Sequence, residues 1–345
     1  MEAIRDFWQQ WQQCFPPAPT FTEESLSRQD GRVFIVTGGN SGTGLALIKL
    51  LYPTGATIYM ASRSRERAEA AIAAVVDEAA TENENKPIES AGTITFMPLD
   101  LNDLTTIKSS AAFFASRESR LDILWNNAGI AGAPVGTKTA QGLEGHIGIN
   151  CVAPLLLAQE LAPLLRNAAV SSPPGATRVV WTGSLSIEAF SPLGGVDVAL
   201  LDQLNREANG TQNDARDYGM SKAGNWFLAI EGARRWGSET TPGKGDALVN
   251  VAQNPGQIDT AAYRYRSELL MKFLKPTMYA PKMGAYTMLF AGLSPDVGLE
   301  RNGAYVLPFG RLQEKCTRRD IVKAIEDGKA QEFWKWCEKV YESYI

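Results

Sequence analysis

The pattern of apolar and polar positions alternates between two kinds of segment along the chain. Short runs rich in β-branched and aliphatic residues, such as Val33–Val36, are typical of buried strands. Between them lie stretches with helical spacing, such as Arg65–Ala80 and Leu143–Leu165. The segments predicted as strands are Val33–Val36, Thr57–Ser62, Thr93–Pro98, Leu121–Trp125, Arg178–Thr182, Ala247–Ala252 and Gly303–Leu307. This alternation predicts an α/β fold in one domain, with a doubly wound parallel sheet of about seven strands flanked by helices.

Both ends of the chain carry amphipathic patterns outside this alternation. Residues 1–30 are predicted as a helical extension, and the main domain is predicted to span residues 31–345. The apolar face of the extension comprises Ile4, Phe7, Trp8 and Trp11. Because this helix has no basic face, we expect it to dock on the body of the protein or on a second subunit.

The apolar face of a predicted C-terminal helix comprises Phe333, Trp336, Cys337, Val340 and Tyr344. That helix either caps the site or forms a subunit contact, which leaves a homo-oligomer open.

The stretch Thr37–Gly44 (TGGNSGTG) joins the first predicted strand to the first predicted helix. Its glycines permit a tight turn with backbone conformations that are closed to other residues. Leu45, Ile48 and Leu51 follow at helical spacing, so the turn opens a helix. Such a turn points backbone N–H groups and a helix N-terminus at a phosphate group. It predicts a dinucleotide site, although an ordinary βα turn can carry the same glycines.

Composition and charge exclude several classes of function. The net charge of −4 and the pI of about 5.4 give no excess of positive charge, which nucleic-acid binding would require. No apolar run reaches the roughly 18 residues of a membrane span, and the first residues lack the pattern of a signal peptide. Four scattered cysteines predict reduced thiols in a cytoplasmic protein rather than a disulfide or zinc framework. The one histidine, His146, excludes a metal site built on several histidines and is predicted to be structural.

Tyr218 and Lys222 are four residues apart in a predicted helix, so they lie on one helical face. An unperturbed tyrosine has a pKa of about 10, which is too high for efficient proton exchange near neutral pH. A fixed lysine cation nearby stabilises the phenolate and lowers that pKa. The pair therefore predicts a general acid or base, although this spacing alone also arises by chance on solvated helix faces.

Four motifs, taken in order, resemble those of the short-chain dehydrogenase/reductase family. The resemblance extends from about Val33 to Arg311. The motifs T-G-x-x-x-G-x-G, N-N-A-G, Y-x-x-x-K and P-G-x-x-x-T appear as Thr37–Gly44, Asn126–Gly129, Tyr218–Lys222 and Pro255–Thr260. The chain looks most similar to the retinol-dehydrogenase-like members and their fungal relatives. The resemblance implies a Rossmann fold and an oxidoreductase that uses a nicotinamide cofactor.

The resemblance also implies roles for individual residues. Tyr218 would exchange a proton with the substrate oxygen, and Lys222 would also hold the nicotinamide ribose. Ser184 would hydrogen-bond the substrate oxygen, and Asn150 would support a water-linked proton path to Lys222. The other residues implied at the cofactor are Gly38, Ser41, Gly42 and Thr43 at the pyrophosphate, Asp100 and Leu101 at the adenine, Asn127, Ala128 and Gly129 on the adenosine side, and Pro255, Ile258 and Thr260 in the turn at the nicotinamide end.

Three features depart from the family pattern. Thr43 stands where isoleucine or leucine is usual, so its contact can be polar. Gly183 replaces the serine that commonly precedes the catalytic serine, which leaves Ser186 as a rival to Ser184. The 34 residues from Ser184 to Tyr218 exceed the usual separation, which predicts an inserted loop at the mouth of the site.

The end of the second predicted strand bears on the choice of cofactor. NAD-specific sites of this type place Asp or Glu there to bind the ribose 2′-hydroxyl. Here the strand ends in Ser62 and Arg63, with no carboxylate and with a guanidinium that can bind a 2′-phosphate. The sequence therefore predicts NADP(H), although Arg63 can also simply begin a solvated helix alongside Arg65 and Arg67.

The segment from about 260 to 281 covers the substrate in the family. Its aromatic and aliphatic residues predict either an apolar pocket wall or plain packing on the body: Tyr263, Tyr265, Leu269, Leu270, Phe273 and Leu274.

The leading hypothesis is an NADP(H)-dependent oxidoreductase that interconverts a ketone or aldehyde and an alcohol on a lipophilic small molecule, as in fungal secondary metabolism. The alternative is a non-catalytic cofactor-binding sensor on the same fold, although such proteins typically lose the tyrosine or the lysine. A sugar-nucleotide epimerase or dehydratase is disfavoured, because those relatives usually carry a T-G-x-x-G-x-x-G turn.

Overall fold

One sheet runs through the molecule, with its strands parallel except at one edge. The computed structural model describes residues 10–82, 91–134, 136–207, 213–260, 275–313 and 316–344. In these residues the sheet has eight strands in the order β3-β2-β1-β4-β5-β6-β7-β8. They are β1 (Val33–Thr37), β2 (Thr57–Ser62), β3 (Thr93–Pro98), β4 (Ile123–Asn126), β5 (Arg178–Thr182), β6 (Val249–Gln253), β7 (Tyr305–Leu307) and β8 (Arg311–Leu312). Strands β1 to β7 pair in parallel, and β8 pairs antiparallel with β7.

Helices connect the strands and follow the last of them. The described helices are α1 (Gly42–Leu51), α2 (Arg65–Glu82), α3 (Ile107–Ala115), α4 (Gly145–Val170), α5 (Ser186–Phe190), α6 (Val198–Arg206), α7 (Asp214–Trp236), α8 (Pro281–Leu293), α9 (Arg319–Glu326) and α10 (Lys329–Tyr341). Short 3₁₀ turns lie at Glu23–Ser25, Tyr52–Thr54, Leu104–Thr106, Lys275–Thr277, Leu299–Arg301 and Glu342–Tyr344.

Both faces of the sheet are covered, because successive residues of each strand point to opposite faces. In β1, Val33 and Ile35 belong to the core formed with α3, α4, α7 and α10. Phe34 and Val36 belong to the second core, formed with α1, α2 and α8. This arrangement confirms the predicted doubly wound α/β fold.

Most strand boundaries lie where the sequence predicts them. The bounds of β2, β3 and β5 agree with the prediction, whereas β4 and β6 each begin two residues later. One amide shortly before each of these strands bonds to a helix instead of to a neighbouring strand, although Asp122, directly before β4, donates to the carbonyl of Val33 in β1 at 2.8 Å. Leu121 donates to the carbonyl of Leu164 at 3.1 Å, and Leu248 donates to the carbonyl of Trp236 at 2.8 Å.

The β7 edge of the sheet differs from the prediction in two details. Strand β7 begins at Tyr305 and not at Gly303, because Gly303 has a φ of +85° and is therefore not extended. Strand β8 adds one short strand to the predicted number through the pairing of Val306 with Leu312. Two residues carry no periodic signal, so the sequence gives no sign of this strand.

Helix α4 changes its winding near its start. Gly145–Ile147 is α-helical, Gly148–Val152 is π-helical, and Ala153–Val170 is α-helical again. The sequence predicts one regular helix from Leu143, because apolar spacing does not reveal a single widened turn. Among the described helices, α4 alone is long and apolar enough to cross a membrane by length and composition. However, 67% of its most apolar window is buried inside the protein, where it packs against the sheet and α3.

The N-terminal extension is anchored to the body through buried polar contacts. Residues 10–14 are helical. Gln13 is buried, donates to Glu188 Oε1 at 3.1 Å and accepts from Asn254 Nδ2 at 3.0 Å. These contacts place the described part of the extension beside the segments that follow β5 and β6. Three of the predicted apolar positions lie outside the described residues: Ile4, Phe7 and Trp8.

The C-terminal helix α10 packs against α7, the helix that carries Tyr218 and Lys222. Phe333 and Cys337 are fully buried in this contact. A Cβ at Gly224 of α7 would lie 2.8 Å from Phe333 Cε1, so the glycine permits the close approach of the two helices. The apolar face predicted for α10 is thus used in packing on the domain.

Candidate active site

The turn after β1 is a backbone cradle with little room for side chains. Gly38 and Gly42 have φ angles of +67° and +55°, which favour glycine. A Cβ at Gly44 would lie 2.6 Å from the carbonyl oxygen of Gly38, closer than real contacts allow. The turn leads into α1, whose N-cap residue Ser41 makes no capping bond to the described helix with its side chain. The hydroxyl and the first backbone N–H groups of α1 therefore fit a phosphate group.

Thr37, the last residue of β1, ties this turn to the segment that follows β4. Its hydroxyl accepts the backbone N–H groups of Asn127 and Ala128 at 3.0 and 2.9 Å. The same hydroxyl donates to the carbonyl of Trp125 at 3.2 Å, and the Asn127 side chain donates to the Thr37 carbonyl at 2.9 Å. A Cβ at Gly38 would lie 3.1 Å from Ala128 Cα. The structure thus brings the N-N-A-G segment to the glycine turn, through a threonine to which the sequence analysis gives no role.

The turn Pro255–Thr260 meets the glycine turn from the end of β6. A Cβ at Gly42 would lie 3.3 Å from Thr260 Cγ2. Ile258 is buried, and a Cβ at Gly284 of α8 would lie 2.9 Å from both Ile258 Cγ1 and Thr43 Cγ2. The methyl group of Thr43 therefore makes an apolar contact, as the isoleucine or leucine usual at that position would.

The ends of β2 and β3 form the corner predicted for the adenosine part of the cofactor. Ser62 is buried at the end of β2, and its hydroxyl has no hydrogen-bond partner in the described part of the chain. Arg63 follows it and is exposed. Asp100 accepts the N–H of Asn102 at 3.0 Å, which orders the turn after β3, and Leu101 is buried. A buried hydroxyl without a partner among the described residues, followed in the chain by an exposed arginine, is suited to an anionic ligand.

Lys222 is a buried cation bound to the end of β5. Its ammonium group donates to the carbonyl of Thr182 at 3.0 Å, and Asn225 donates to the same oxygen at 2.8 Å. The Nζ atom lies 5.5 Å from the centroid of the Tyr218 ring. Burial disfavours the charged form and lowers the pKa of Lys222 to about 8. The predicted pair therefore lies on one face of α7, with its cation fixed to the sheet.

Asn150 lies in the π-helical turn of α4, a kind of turn that is frequent at functional sites. Its carbonyl group accepts the N–H of Ile130 at 2.8 Å. Its amide group donates to the Ile130 carbonyl at 3.1 Å and to the Ser221 hydroxyl at 3.0 Å. A Cβ at Gly129 would lie 2.8 Å from Asn150 Oδ1 and 3.7 Å from Lys222 Nζ. These distances bring Asn150, Gly129 and Lys222 into one cluster.

Ser184 follows β5 and bonds directly to its rival Ser186. The Ser184 hydroxyl accepts the N–H of Ser186 and donates to the Ser186 hydroxyl, both at 3.1 Å. Ser184 is half-buried, and Ser186 is the first residue of α5. Ser184 is therefore the serine at the carboxyl end of the sheet, whereas Ser186 belongs to the next helix.

The segments that carry Tyr218 and Ser184 are in close contact. A Cβ at Gly219 would lie 2.8 Å from the carbonyl oxygen of Ser186 and 2.7 Å from the backbone nitrogen of Ser191. The glycine next to Tyr218 therefore lets α7 approach α5, the helix that follows Ser184. Gly219 is not among the residues predicted for the site, although a glycine inside a helix signals a close approach.

His146 packs against Tyr218 from α4. The two ring centroids are 5.9 Å apart, and the ring planes are inclined at 66° in an edge-to-face contact. His146 is buried, with Nδ1 at 2.9 Å from Glu144 Oε1 and Nε2 at 3.3 Å from Asp214 Oδ1. The residue thus contributes to the packing around Tyr218, in keeping with its prediction as structural.

Two predicted features at the mouth of the site lie outside the described residues. The first is most of the segment from about 260 to 281, of which residues 261–274 are not described. The second is the tip of the inserted loop near Asn209–Gly210. The described part of that insertion contains the helices α5 and α6.

Comparison with known proteins places the chain in a family. Residues 32–186 match the family model described as short chain dehydrogenase. The short-chain dehydrogenase/reductase iacJ of Pestalotiopsis fici is 48% identical over 338 residues, which cover 97% of this chain and 98% of that protein. An uncharacterised protein from Mycobacterium paratuberculosis matches the structure with a TM-score of 0.64 and 25% identity, over 93% of this chain and 97% of that one. An NADPH-bound carbonyl reductase from chicken fatty liver shares the fold with a TM-score of 0.55 and 22% identity, over 84% of this chain and 99% of that one.

The chain therefore belongs to the short-chain dehydrogenase/reductase family, which confirms the resemblance carried by its motifs. It is an oxidoreductase with a Rossmann fold, acting on a small molecule. Members of this family use nicotinamide cofactors, and the glycine turn, the N-terminus of α1 and the Ser62 hydroxyl have the chemistry to hold one.

The burial of Lys222 makes folding stability depend on pH in a defined direction. Below about pH 8 the side chain is charged in the folded and the unfolded state, so the folded state carries the full cost of burying the charge. From about pH 8 to the unfolded pKa of about 10.4, only the unfolded state stays protonated, so stability rises with pH. We expect wild type to gain about 2–3 kcal/mol relative to Lys222→Met between about pH 7 and about pH 10, measured by urea unfolding. A difference between the two proteins that does not change with pH would contradict the buried charge.

Proposed function

We propose that the protein is an NADP(H)-dependent oxidoreductase that interconverts a ketone or aldehyde and an alcohol on a lipophilic small molecule. The observation that carries the proposal is the buried Lys222 ammonium, held on the Thr182 carbonyl beside the Tyr218 ring. A cation fixed in this position favours the phenolate of Tyr218 over the phenol. It therefore gives the tyrosine the acidity that proton transfer to a carbonyl oxygen requires near neutral pH.

Each of the four proposed catalytic residues has a distinct task. Tyr218 donates a proton to the substrate oxygen during reduction and takes it back during oxidation. Ser184, at the end of β5, hydrogen-bonds the same oxygen and orients it. Lys222 stabilises the phenolate and also binds the nicotinamide ribose. Asn150, whose side chain is held by Ile130 and Ser221 in the π-helical turn, supports a water-linked proton path to Lys222.

Residues at the ends of the strands would hold a nicotinamide cofactor, which when bound would supply or accept the hydride. Gly38, Ser41, Gly42 and Thr43 bind the pyrophosphate at the N-terminus of α1. The remaining proposed contacts are Asp100 and Leu101 at the adenine, Asn127, Ala128 and Gly129 on the adenosine side, and Pro255, Ile258 and Thr260 at the nicotinamide end.

The end of β2 supports NADP(H) over NAD(H). Ser62 offers a buried hydroxyl without a partner among the described residues, and Arg63, the next residue in the chain, is exposed and carries a guanidinium. Both are hydrogen-bond donors, and neither position provides a carboxylate for a ribose 2′-hydroxyl. The NADPH complex of the chicken carbonyl reductase, which shares this fold, agrees with that choice.

Exposed apolar side chains after Ser184 support a lipophilic substrate. Phe190, which ends α5, is 54% exposed, and Leu193 is 84% exposed. Exposed apolar side chains in the segment that follows the proposed substrate-binding serine suit a substrate with a large apolar part. A role in fungal secondary metabolism, a cytoplasmic location and a homo-oligomer are further parts of this proposal.

Removal of the Tyr218 hydroxyl is expected to abolish most turnover. Tyr218→Phe should lower kcat about 10²- to 10⁴-fold while NADPH affinity stays unchanged, because only the proton donor is lost. A panel of lipophilic ketones and aldehydes, followed by NADPH absorbance, first identifies a substrate for the comparison. Tyr59→Phe is the matched control, because it removes a buried hydroxyl that bonds Glu118 at 2.8 Å on a strand away from the reaction. Near-normal turnover of Tyr218→Phe would show that the assigned mechanism is wrong.

Arg63 is expected to set the preference for NADPH. A hydrogen bond to a charged group contributes about 1.5–3 kcal/mol, so wild type should bind NADPH about one to two orders of magnitude more tightly than NADH. Arg63→Ala should weaken NADPH binding to near the level of NADH and leave NADH binding unchanged. Arg67→Ala, an exposed arginine one turn further along, is the control and should keep the preference. Fluorescence titration of both cofactors checks this, and equal wild-type affinities would rule out the assignment.

A further inference from the structure

The backbone of Ser184 is held at both of its polar groups by one side chain. The Tyr305 hydroxyl accepts the N–H of Ser184 at 3.1 Å and donates to the Ser184 carbonyl at 3.2 Å. A single hydroxyl that accepts and donates on one residue fixes the orientation of both adjacent peptide groups. The orientation of these groups sets the direction of the Ser184 Cα–Cβ bond, and the two hydrogen bonds between the Ser184 hydroxyl and Ser186 set the rotamer.

The same tyrosine fills the space beside Gly183. A Cβ at Gly183 would lie 2.7 Å from the Tyr305 hydroxyl oxygen, 2.9 Å from Cε2 and 3.1 Å from Cζ. These atoms belong to a rigid ring and not to the end of a flexible chain, so a side chain at position 183 would displace the ring. The glycine that replaces the usual serine of the family is therefore matched to the presence of Tyr305.

The sheet brings Tyr305 to this position from two strands away. Tyr305 pairs with Ala252 of β6, and Ala252 pairs with Trp181 of β5. The small side chain of Ala252 leaves room for the ring to reach across β6 to the end of β5. The ring also packs against Trp226 of α7, with 5.3 Å between centroids, and is almost fully buried. The position of Tyr305 is thus fixed by the sheet and by the helix that carries Tyr218.

We propose that Tyr305 is a positioning residue for Ser184: its hydroxyl locks the Ser184 backbone, so that the Ser184 hydroxyl points at the substrate oxygen. This inference rests on the proposed function, because it assumes that Ser184 binds the substrate. Burial and the nearby Glu188 and Tyr218 hold the pKa of Tyr305 well above its usual range. The hydroxyl therefore stays neutral and acts through hydrogen bonds and not through proton transfer.

A double-mutant cycle on Tyr305 and Ser184 tests the inference. Tyr305→Phe removes the hydroxyl and keeps the ring, so we expect kcat to fall about five- to tenfold with NADPH affinity unchanged. In a Ser184→Ala background the same change should have no further effect, because the hydroxyl acts only through Ser184. Tyr59→Phe controls for the loss of a buried tyrosine hydroxyl and should leave kcat unchanged.

A second variant disturbs the contact between Tyr305 and the Ser184 backbone by a change at Gly183 instead of at Tyr305. Gly183→Ala introduces a methyl group 2.7 Å from the Tyr305 hydroxyl and should lower kcat in the same way, again with no further loss in the Ser184→Ala background. It serves as the test if Tyr305→Phe does not fold.

The outcomes separate this inference from the proposed function. If Ser184→Ala lowers turnover but Tyr305→Phe does not, or if their effects multiply, the positioning role of Tyr305 is overturned and the function stands. If Ser184→Ala turns over normally, the substrate-binding role of Ser184 and the inference are both overturned. If Tyr218→Phe also turns over normally, the proposed function is overturned as a whole.

Discussion

A lysine ammonium group inside a protein loses its hydration, so it needs close acceptors that cannot move away. In this protein the constraint falls on Lys222, which bonds the Thr182 carbonyl at the end of β5 together with Asn225. The Thr182 hydroxyl in turn accepts from the Gln253 side chain of β6 at 3.1 Å. Two strand ends and one helix are therefore fixed around one cation, and the ring of Tyr218 lies beside it.

The rest of the site depends on how closely backbone segments approach this centre. Gly219 lets the Tyr218 turn of α7 contact α5, and Gly183 leaves the space that Tyr305 occupies. Glycine at these positions makes no side-chain contacts, but the missing side chain lets neighbouring groups come close to the backbone. As a result, Tyr218 and Lys222 lie on one helix, and Ser184, in the short turn between β5 and α5, is held by the Tyr305 hydroxyl. Such preorganisation is what a proton-transfer site requires.

The doubly wound fold and most of the candidate site can be predicted from the sequence, because both leave local signals. Alternating strands and helices mark the sheet, and each motif lies within a few residues at a strand end or on one helical face. The residues that the sequence does not reveal act over long distances in the chain. Thr37 bonds residues about 90 positions away, and Tyr305 bonds Ser184 across 121 positions. No periodicity or spacing records such contacts, since they arise only when the strands pair.

Local irregularities of the backbone cannot be predicted from the sequence for a different reason. The π-helical turn that holds Asn150 and the two-residue strand β8 each involve too few residues to alter a hydrophobic pattern. The roles of Gly183 and Gly219 become clear only when their neighbours are known. A departure from a family motif, such as Gly183, is thus a useful sign that another part of the chain has changed with it.

The central claim is that the buried Lys222 cation makes Tyr218 acidic, and the ionisation of Tyr218 can be measured directly. Tyrosinate absorbance is followed against pH for wild type and Tyr218→Phe, and the difference isolates Tyr218 from the other tyrosines. The same pair is then compared in a Lys222→Met background. Our account predicts a Tyr218 signal that titrates clearly below the ordinary tyrosine pKa of about 10, and a return to that value or above it without the lysine. A Tyr218 that titrates at about 10 or higher in both backgrounds would contradict the account.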